Sequence, residues 1–271
     1  MGLIPRISWI EDGLRTSDQI GDNGKTIIKS QDRILNYESP AEGPLRYEFV
    51  GKNILKKGLK VPTGDDLIPL IYSAYFDKKD KGNPLFEDIR EILSEGKNNC
   101  HLKNLFFHVY NKYIFASNGV YIQQDFEATA NDKKLIKISN LENAIRGGKE
   151  IKGVKFSKSG HIRFVPRERC EFGENTTRHL AENGFVIGSY GISGAKQLAK
   201  ISTQFSWGPI VGFEGDFPCE EDLFKVSESN HSGFGVIDGG SGCNLTISSS
   251  NLEYLEPYRG IANGFIPSKT S

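Results

Sequence analysis

The stretch KYIFASNGVYIQQ, residues 112–124, decides the fold class of this chain. Two strand-like runs, 112–116 and 120–124, are separated by the tripeptide Ser-Asn-Gly. Asn-Gly between two runs of this kind is the strongest short-range signal for a β-hairpin. The stretch therefore predicts a pair of antiparallel strands that are adjacent in sequence.

Similar signals recur along the chain. A second hairpin is predicted at residues 154–165, with its turn at Lys158-Ser159-Gly160. Helices are predicted at 65–76, 84–94, 175–182 and 194–203, and after a capping box formed by Ser139 and Glu142. Further strands are predicted at 46–51, 105–110, 133–138, 185–189, 210–213 and 234–237. Hairpins interleaved with short helices predict an α+β fold with a mixed, mainly antiparallel sheet.

The first part of the chain has a different character. Residues 1–44 are rich in Gly, Asp, Ser and Pro and predict an irregular N-terminal arm with one short strand at 25–29. Its apolar residues, among them Trp9 and Ile10, predict that the arm packs on the domain or on a partner. Residues 45–271 are predicted to form a single α+β domain.

Composition narrows the function classes. The 271 residues carry 34 Lys and Arg and 34 Asp and Glu, so the net charge is zero and gives no general argument for nucleic-acid binding. No run of 18 apolar residues occurs, so no membrane association is expected. Without an export signal at the start, we expect a cytoplasmic protein. The four cysteines form no C-x-x-C pair, so we expect them to be reduced thiols and not zinc ligands. We expect neither a metal site nor a cofactor.

The segment His161–His179, HIRFVPRERCEFGENTTRH, is a basic cluster. Its arginines, Arg163, Arg167, Arg169 and Arg178, carry donors that suit phosphate or carboxylate groups. His161 and His179 at its two ends are candidate catalytic residues for metal-free phosphodiester cleavage, because a histidine can move a proton near neutral pH. The alternative is a half-exposed hairpin whose arginines are neutralised by Glu168, Glu171 and Glu174.

A second candidate is the glycine-rich stretch GSYGISGAK, residues 188–196. It is predicted to follow a strand and to open a helix, where free amides attract anions. Gly191, Gly194 and Lys196 are therefore candidate anion-binding residues. The spacing matches neither the dinucleotide fingerprint nor the P-loop, so a tight turn capped by Ser193 is the alternative.

Two weaker patterns involve acidic residues. Asp238 and Cys243 flank a glycine-rich loop, and His231 is a candidate base for the thiol; a simple turn explains the same residues. Glu150 and Lys152 have the spacing of a nuclease site, which would also need Asp132.

Two hypotheses follow. In the first, the protein is a binding or interaction module that contacts a protein partner, or a second copy of itself, through residues 1–44. In the second, it is a phosphate-directed enzyme or nucleic-acid binder that uses the cluster from His161 to His179.

Overall fold

The computed structural model describes thirteen parts of the chain: residues 16–20, 25–30, 33–45, 47–77, 82–98, 105–124, 137–205, 208–214, 224, 227–229, 231–238, 243–250 and 261–267. These residues form two β-sheets and six α-helices. Among these helices, none is long and apolar enough to cross a membrane.

The strands fall into a larger and a smaller sheet. They are β1 Thr16–Ile20, β2 Lys25–Ser30, β3 Arg33–Leu45, β4 Leu105–Val109, β5 Lys112–Ala116, β6 Gly119–Gln123, β7 Lys149–Ile151, β8 Val154–Phe156, β9 Ile162–Pro166, β10 Gly173–Glu174, β11 Ile210–Glu214, β12 Ser227–Ser229, β13 His231–Asp238, β14 Cys243–Ser250 and β15 Ile261–Pro267. The larger sheet has the order β1-β2-β3-β15-β4-β13-β14-β11-β10. The smaller sheet has the order β12-β5-β6-β9-β8-β7.

Most neighbouring strands run antiparallel. Only the pairs β11–β14 and β15–β4 are parallel among the strands described, and both belong to the larger sheet. Both predicted hairpins are present in the smaller sheet, as β5–β6 and β8–β9. The prediction of an α+β fold with a mixed, mainly antiparallel sheet is confirmed.

The helices are α1 Tyr47–Lys56, α2 Gly64–Phe76, α3 Pro84–Asn98, α4 Ile138–Ile145, α5 Thr177–Leu180 and α6 Gly184–Ser202. The predicted helices at 65–76 and 84–94 correspond to α2 and α3. Asn83 caps α3 as expected, since its Oδ1 accepts a hydrogen bond from the Leu85 amide at 3.0 Å.

Three local predictions were wrong. Residues 185–189 belong to α6 instead of a strand, because Asn183 caps a helix there: its Oδ1 accepts from the amides of Phe185 and Val186. Residues 47–51 belong to α1 instead of a strand, since a short run with several apolar residues fits either element. Ser139 lies inside α4, which is preceded by Lys137, so it caps nothing.

Other predictions for local structure have mixed outcomes. The strand predicted at 25–29 is present as β2, and β1, β2 and β3 pair antiparallel in sequence order. Because β3 also pairs with β15, residues before 45 contribute to the larger sheet. Residues 1–15, and residues 133–136 of the strand predicted at 133–138, lie outside the described residues. The division into an arm and a domain stays a prediction.

The smaller sheet is covered on both faces, and side chains alternate between them. On one face Tyr113 and Phe115 stack on Phe185 of α6, with ring centroids 5.2 and 6.4 Å away. On the other face Ile114 and Tyr121 pack in a cluster with Leu141 of α4. Burial on both faces explains why β5 is buried along its whole length and why its residues from Tyr113 to Ala116 do not alternate between apolar and polar.

The hairpin β5–β6 depends on a glycine at its turn. Ala116 pairs with Gly119, so the connection has two residues, and Gly119 has a φ of 149°. A Cβ at this position would lie 2.1 Å from the Val165 carbonyl oxygen of the neighbouring strand β9. Only glycine lets β9 approach this closely.

We expect Gly119→Ala to lower the free energy of unfolding by about 3 kcal/mol, because backbone atoms of β9 must move. The matched control is Gly82→Ala, where the added Cβ meets nothing within 4 Å and we expect a change within about 0.5 kcal/mol. Urea unfolding followed by circular dichroism measures both. Equal stabilities for the two variants would contradict this account of the turn.

Candidate functional site

Helix α6 is broken at Gly191. This residue has φ 72° and ψ 169°, whereas the residues on either side are helical, so α6 consists of two segments, 184–190 and 192–202. A Cβ on Gly191 would lie 2.9 Å from Oδ1 of Asp65. Both the positive φ and the close carboxylate therefore require glycine at the break.

Side chains from the smaller sheet bind the carbonyl groups that the break exposes. Arg163 donates from Nη1 to the Gly188 oxygen at 2.9 Å. Asn111 and Gln124 donate to the Ser189 oxygen at 2.9 and 2.8 Å. Carbonyls at the end of a helical segment need partners of this kind, so these three side chains stabilise the break.

Arg163 is the centre of this network. Nη1 and Nη2 make a bidentate contact with the Asp65 carboxylate, at 3.2 and 2.5 Å. Nη2 also donates to Gln124 Oε1 at 2.8 Å, and Nε donates to the Gly160 oxygen at 3.2 Å. A guanidinium group has five N–H donors, and with the bond to α6 all five are used. Arg163 is thus engaged entirely within the protein.

A cavity of about 360 Å³ lies beside the break. Its walls come from the first turns of α2, from β7, β8 and the start of β9, and from α6. The lining residues are Asp65, Pro69, Lys149, Ile151, Phe156, Gly160, Arg163, Tyr190, Gly191, Ile192, Ser193, Gly194 and Gln197. Polar and apolar side chains contribute to this lining in about equal measure, and converging polar groups are what orient a small molecule in its site.

Two lining residues have buried polar atoms with no hydrogen-bond partner in the part of the chain that the structure describes. These atoms are Oε1 of Gln197 and the hydroxyl of Tyr190, and each side chain is 1% exposed. Burial raises the pKa of Tyr190 well above its usual value, and the nearby Tyr113 adds to the shift. Unpartnered buried polar atoms are rare in folded proteins and often mark a functional site.

The predicted site residues separate into two groups. Arg163, Gly191 and Gly194 line the cavity, but Lys196 is half-buried on the second segment of α6 and does not. Gly191 was predicted to lie in a strand-to-helix turn, whereas it breaks a helix.

The rest of the cluster from His161 to His179 does not line the cavity. The Arg167 guanidinium lies 4.7 Å from the ring centre of Phe224, and Arg169 donates to the backbone oxygens of Lys152 and Glu182. His161, Arg178 and His179 are exposed. Within the described residues, none of the cluster's arginines forms an ion pair with Glu168, Glu171 or Glu174. The catalytic roles of His161 and His179 stay predictions.

The structure does not support the two weaker sequence patterns, the His231–Cys243 pair and the nuclease spacing of Glu150 and Lys152. In the β13–β14 pair, Asp238 lies opposite Cys243, but His231 lies opposite Ser250 at the other end. His231 and Cys243 are thus about 23 Å apart along the strands, too far for one catalytic pair. Lys152 lies in the β7–β8 turn with φ 52° and binds Glu182, and Asp132 is outside the described residues. In the described parts of the chain, no group of three metal-ligating side chains occurs.

Comparison with known proteins leaves the site to be interpreted from its geometry. No family model matches the chain, and neither the curated sequences nor the solved structures gave a match.

Sequence reasoning missed four residues of this site: Asp65, Gln124, Lys149 and Gln197. Asp65 is visible in the sequence only as an acidic residue in the first turn of a helix, a position that the helix dipole already explains. The glutamines carry no sequence signal: Gln124 stands between Gln123 and Asp125, and Gln197 between Lys196 and Leu198, as an ordinary polar residue would.

We expect Arg163→Ala to lower the free energy of unfolding by about 3–5 kcal/mol, because it leaves the Asp65 carboxylate partly buried without its cation. Arg163→Lys should recover little of this loss, since an ammonium group cannot reproduce the bidentate fork. Arg178→Ala, at an exposed arginine of the same segment, is the matched control. Chemical denaturation compares the three variants, and an Arg163→Ala protein as stable as Arg178→Ala would refute the role of this network.

Proposed function

We propose that the protein binds a small anionic ligand, one that carries a phosphate or carboxylate group, in the cavity beside Gly191. The observation that carries the proposal is the break in α6, which begins a second helical segment in the cavity wall. The first amides of a helical segment have no carbonyl partners within the helix, and together with the helix dipole they favour an anion.

The side chains around this segment fit such a ligand. The Ser193 hydroxyl, in the first turn, can donate to an anion, and the exposed ammonium group of Lys149 lines the same cavity. The unpartnered Oε1 of Gln197 is an acceptor and would need a donor. A ligand with a hydroxyl group near its anionic group would satisfy both requirements.

The charge balance of the cavity also supports an anion. Among the described residues, Asp65 is the one carboxylate that lines it, and Arg163 neutralises this carboxylate through two hydrogen bonds. Since the charges of Arg163 and Asp65 cancel, Lys149 gives the described lining of the cavity a net charge of plus one.

This proposal follows the second sequence hypothesis, a phosphate-directed protein, and assigns no catalytic step. A location in the cytoplasm, as the sequence predicts, is part of the proposal. Contacts of residues 1–44 with a protein partner or with a second copy of the chain stay a separate prediction.

The proposal is tested by isothermal titration with inorganic phosphate and with glycerol phosphate. We expect both to bind, and glycerol phosphate to bind more tightly because its hydroxyl groups can donate to Gln197. Lys149→Gln should weaken binding by about tenfold, since it removes a charge-assisted hydrogen bond, and Ser193→Ala by a smaller factor.

The matched control is Lys57→Gln, at an exposed lysine next to α1 that does not line the cavity. It should bind as the unmodified protein does. If neither compound binds, or if Lys149→Gln and Ser193→Ala bind as well as the control, the proposed function is wrong.

A further inference from the structure

Four exposed cations surround the hairpin of β7 and β8, and we call them the cationic edge: Arg146, Lys149, Lys155 and Lys158. None of the four forms an ion pair with another described residue. Lys152, at the turn of the same hairpin, is different, because its Nζ lies 2.6 Å from the Glu182 carboxylate. The cationic edge is therefore available for a negatively charged partner.

These cations lie close to one another. Arg146, Lys149 and Lys155 all line a second cavity of about 430 Å³, between the end of α4 and the outer face of the smaller sheet. The Lys158 side chain passes 3.6 Å from the Cβ position of Gly147, directly beside Arg146. The carboxylates lining this cavity are those of Glu142 and Glu150, so cations outnumber carboxylates here although the whole chain is neutral.

The second cavity has an apolar wall as well. Tyr121 and Phe164 are in contact there, with ring centroids 4.7 Å apart, and Ile145 of α4 lies against the same cluster. Lys155 lies over the Phe164 ring at 5.9 Å. Tyr121 and Phe164 are only 2% and 8% exposed, so the wall offers a ligand a small part of these rings, the half-buried Ile145 and the stem of Lys155. Cations that follow the backbone, next to apolar surface that a base can touch, are features by which proteins hold single strands.

Lys149 lines both cavities, so the two sites adjoin at β7. We infer that the natural ligand is a single-stranded nucleic acid, which places a phosphate in the cavity beside Gly191 and the next nucleotide on the cationic edge. This inference rests on the proposed function and names its ligand class.

A single strand fits this arrangement better than a duplex. The two cavities lie against opposite faces of the hairpin, since Ile151 and Phe156 line the first and Glu150 and Lys155 line the second. A ligand that enters both must bend around the edge strand, and a single strand is flexible enough to do so. The bases of a duplex are stacked inside the helix and cannot enter a cavity.

The test is fluorescence anisotropy with the full chain and a short labelled oligothymidylate, at several salt concentrations, with a duplex of the same length and inorganic polyphosphate as competitors. We expect the single strand to bind most tightly. The triple variant Lys149→Gln/Lys155→Gln/Lys158→Gln should lose about tenfold or more in affinity. The slope of log affinity against log salt should become shallower by about 2, because three phosphate contacts are lost and each contributes about 0.7 for a single strand.

The matched control removes the same charge elsewhere. Lys52→Gln/Lys56→Gln/Lys57→Gln changes three exposed lysines in and next to α1 and should leave both affinity and slope unchanged. A charge-preserving variant, Lys149→Arg/Lys155→Arg/Lys158→Arg, should keep most of the affinity, which separates lost charge from lost folding.

The outcomes distinguish the two proposals. The inference falls and the proposed function stands if inorganic phosphate binds in the cavity but the oligonucleotide does not. The same holds if Lys149→Gln/Lys155→Gln/Lys158→Gln binds the oligonucleotide as tightly as the control Lys52→Gln/Lys56→Gln/Lys57→Gln does. Equal affinity for the duplex or for polyphosphate also overturns it, because the bases would then contribute nothing. If neither phosphate nor oligonucleotide binds, the proposed function fails together with the inference.

Discussion

The bidentate contact between Arg163 and Asp65 holds the central part of this fold together. Arg163 lies in β9 and Asp65 in α2, and the same guanidinium group also binds Gln124 after β6, Gly188 of α6 and Gly160 before β9. One buried charge thus fixes the position of two helices relative to the smaller sheet. A charge in this environment must be fully paired, so every element that supplies a partner is constrained at once.

The break in α6 follows from this constraint. An uninterrupted helix would use the carbonyls of Gly188 and Ser189 for its own amides, whereas here Arg163, Asn111 and Gln124 bind them. The Asp65 carboxylate occupies the space beside Gly191 that any side chain would need. The interaction that stabilises the core therefore also frees the start of a second helical segment, and the cavity forms where that segment begins.

The sequence predicts local structure here better than it predicts the site. The hairpins and the capped helices α2 and α3 depend on residues close in the chain, such as Asn118-Gly119 and Asn83-Pro84, and they are present. Arg163 and Asp65 are 98 residues apart, so no local pattern connects them. Arg163 was predicted as an anion-binding residue because its chemistry suits phosphate, and the same chemistry suits the carboxylate that it binds inside the protein. Gly191 and Gly194 were predicted from a glycine-rich stretch at an expected helix start, although the element around them is a broken helix.

The cationic edge has a second physical interpretation, since charged residues on an edge strand also prevent sheets from joining edge to edge. Within the described residues β7 is the last strand of the smaller sheet and has three residues, so protection would require a charge on β7 itself. Lys149 and Glu150 already supply it. The other three cations lie away from the open edge and do not protect it: Arg146 at the end of α4, Lys155 on β8 and Lys158 in the turn after β8. Protection therefore accounts for one cation of the four, and the proposed nucleic acid would account for the other three.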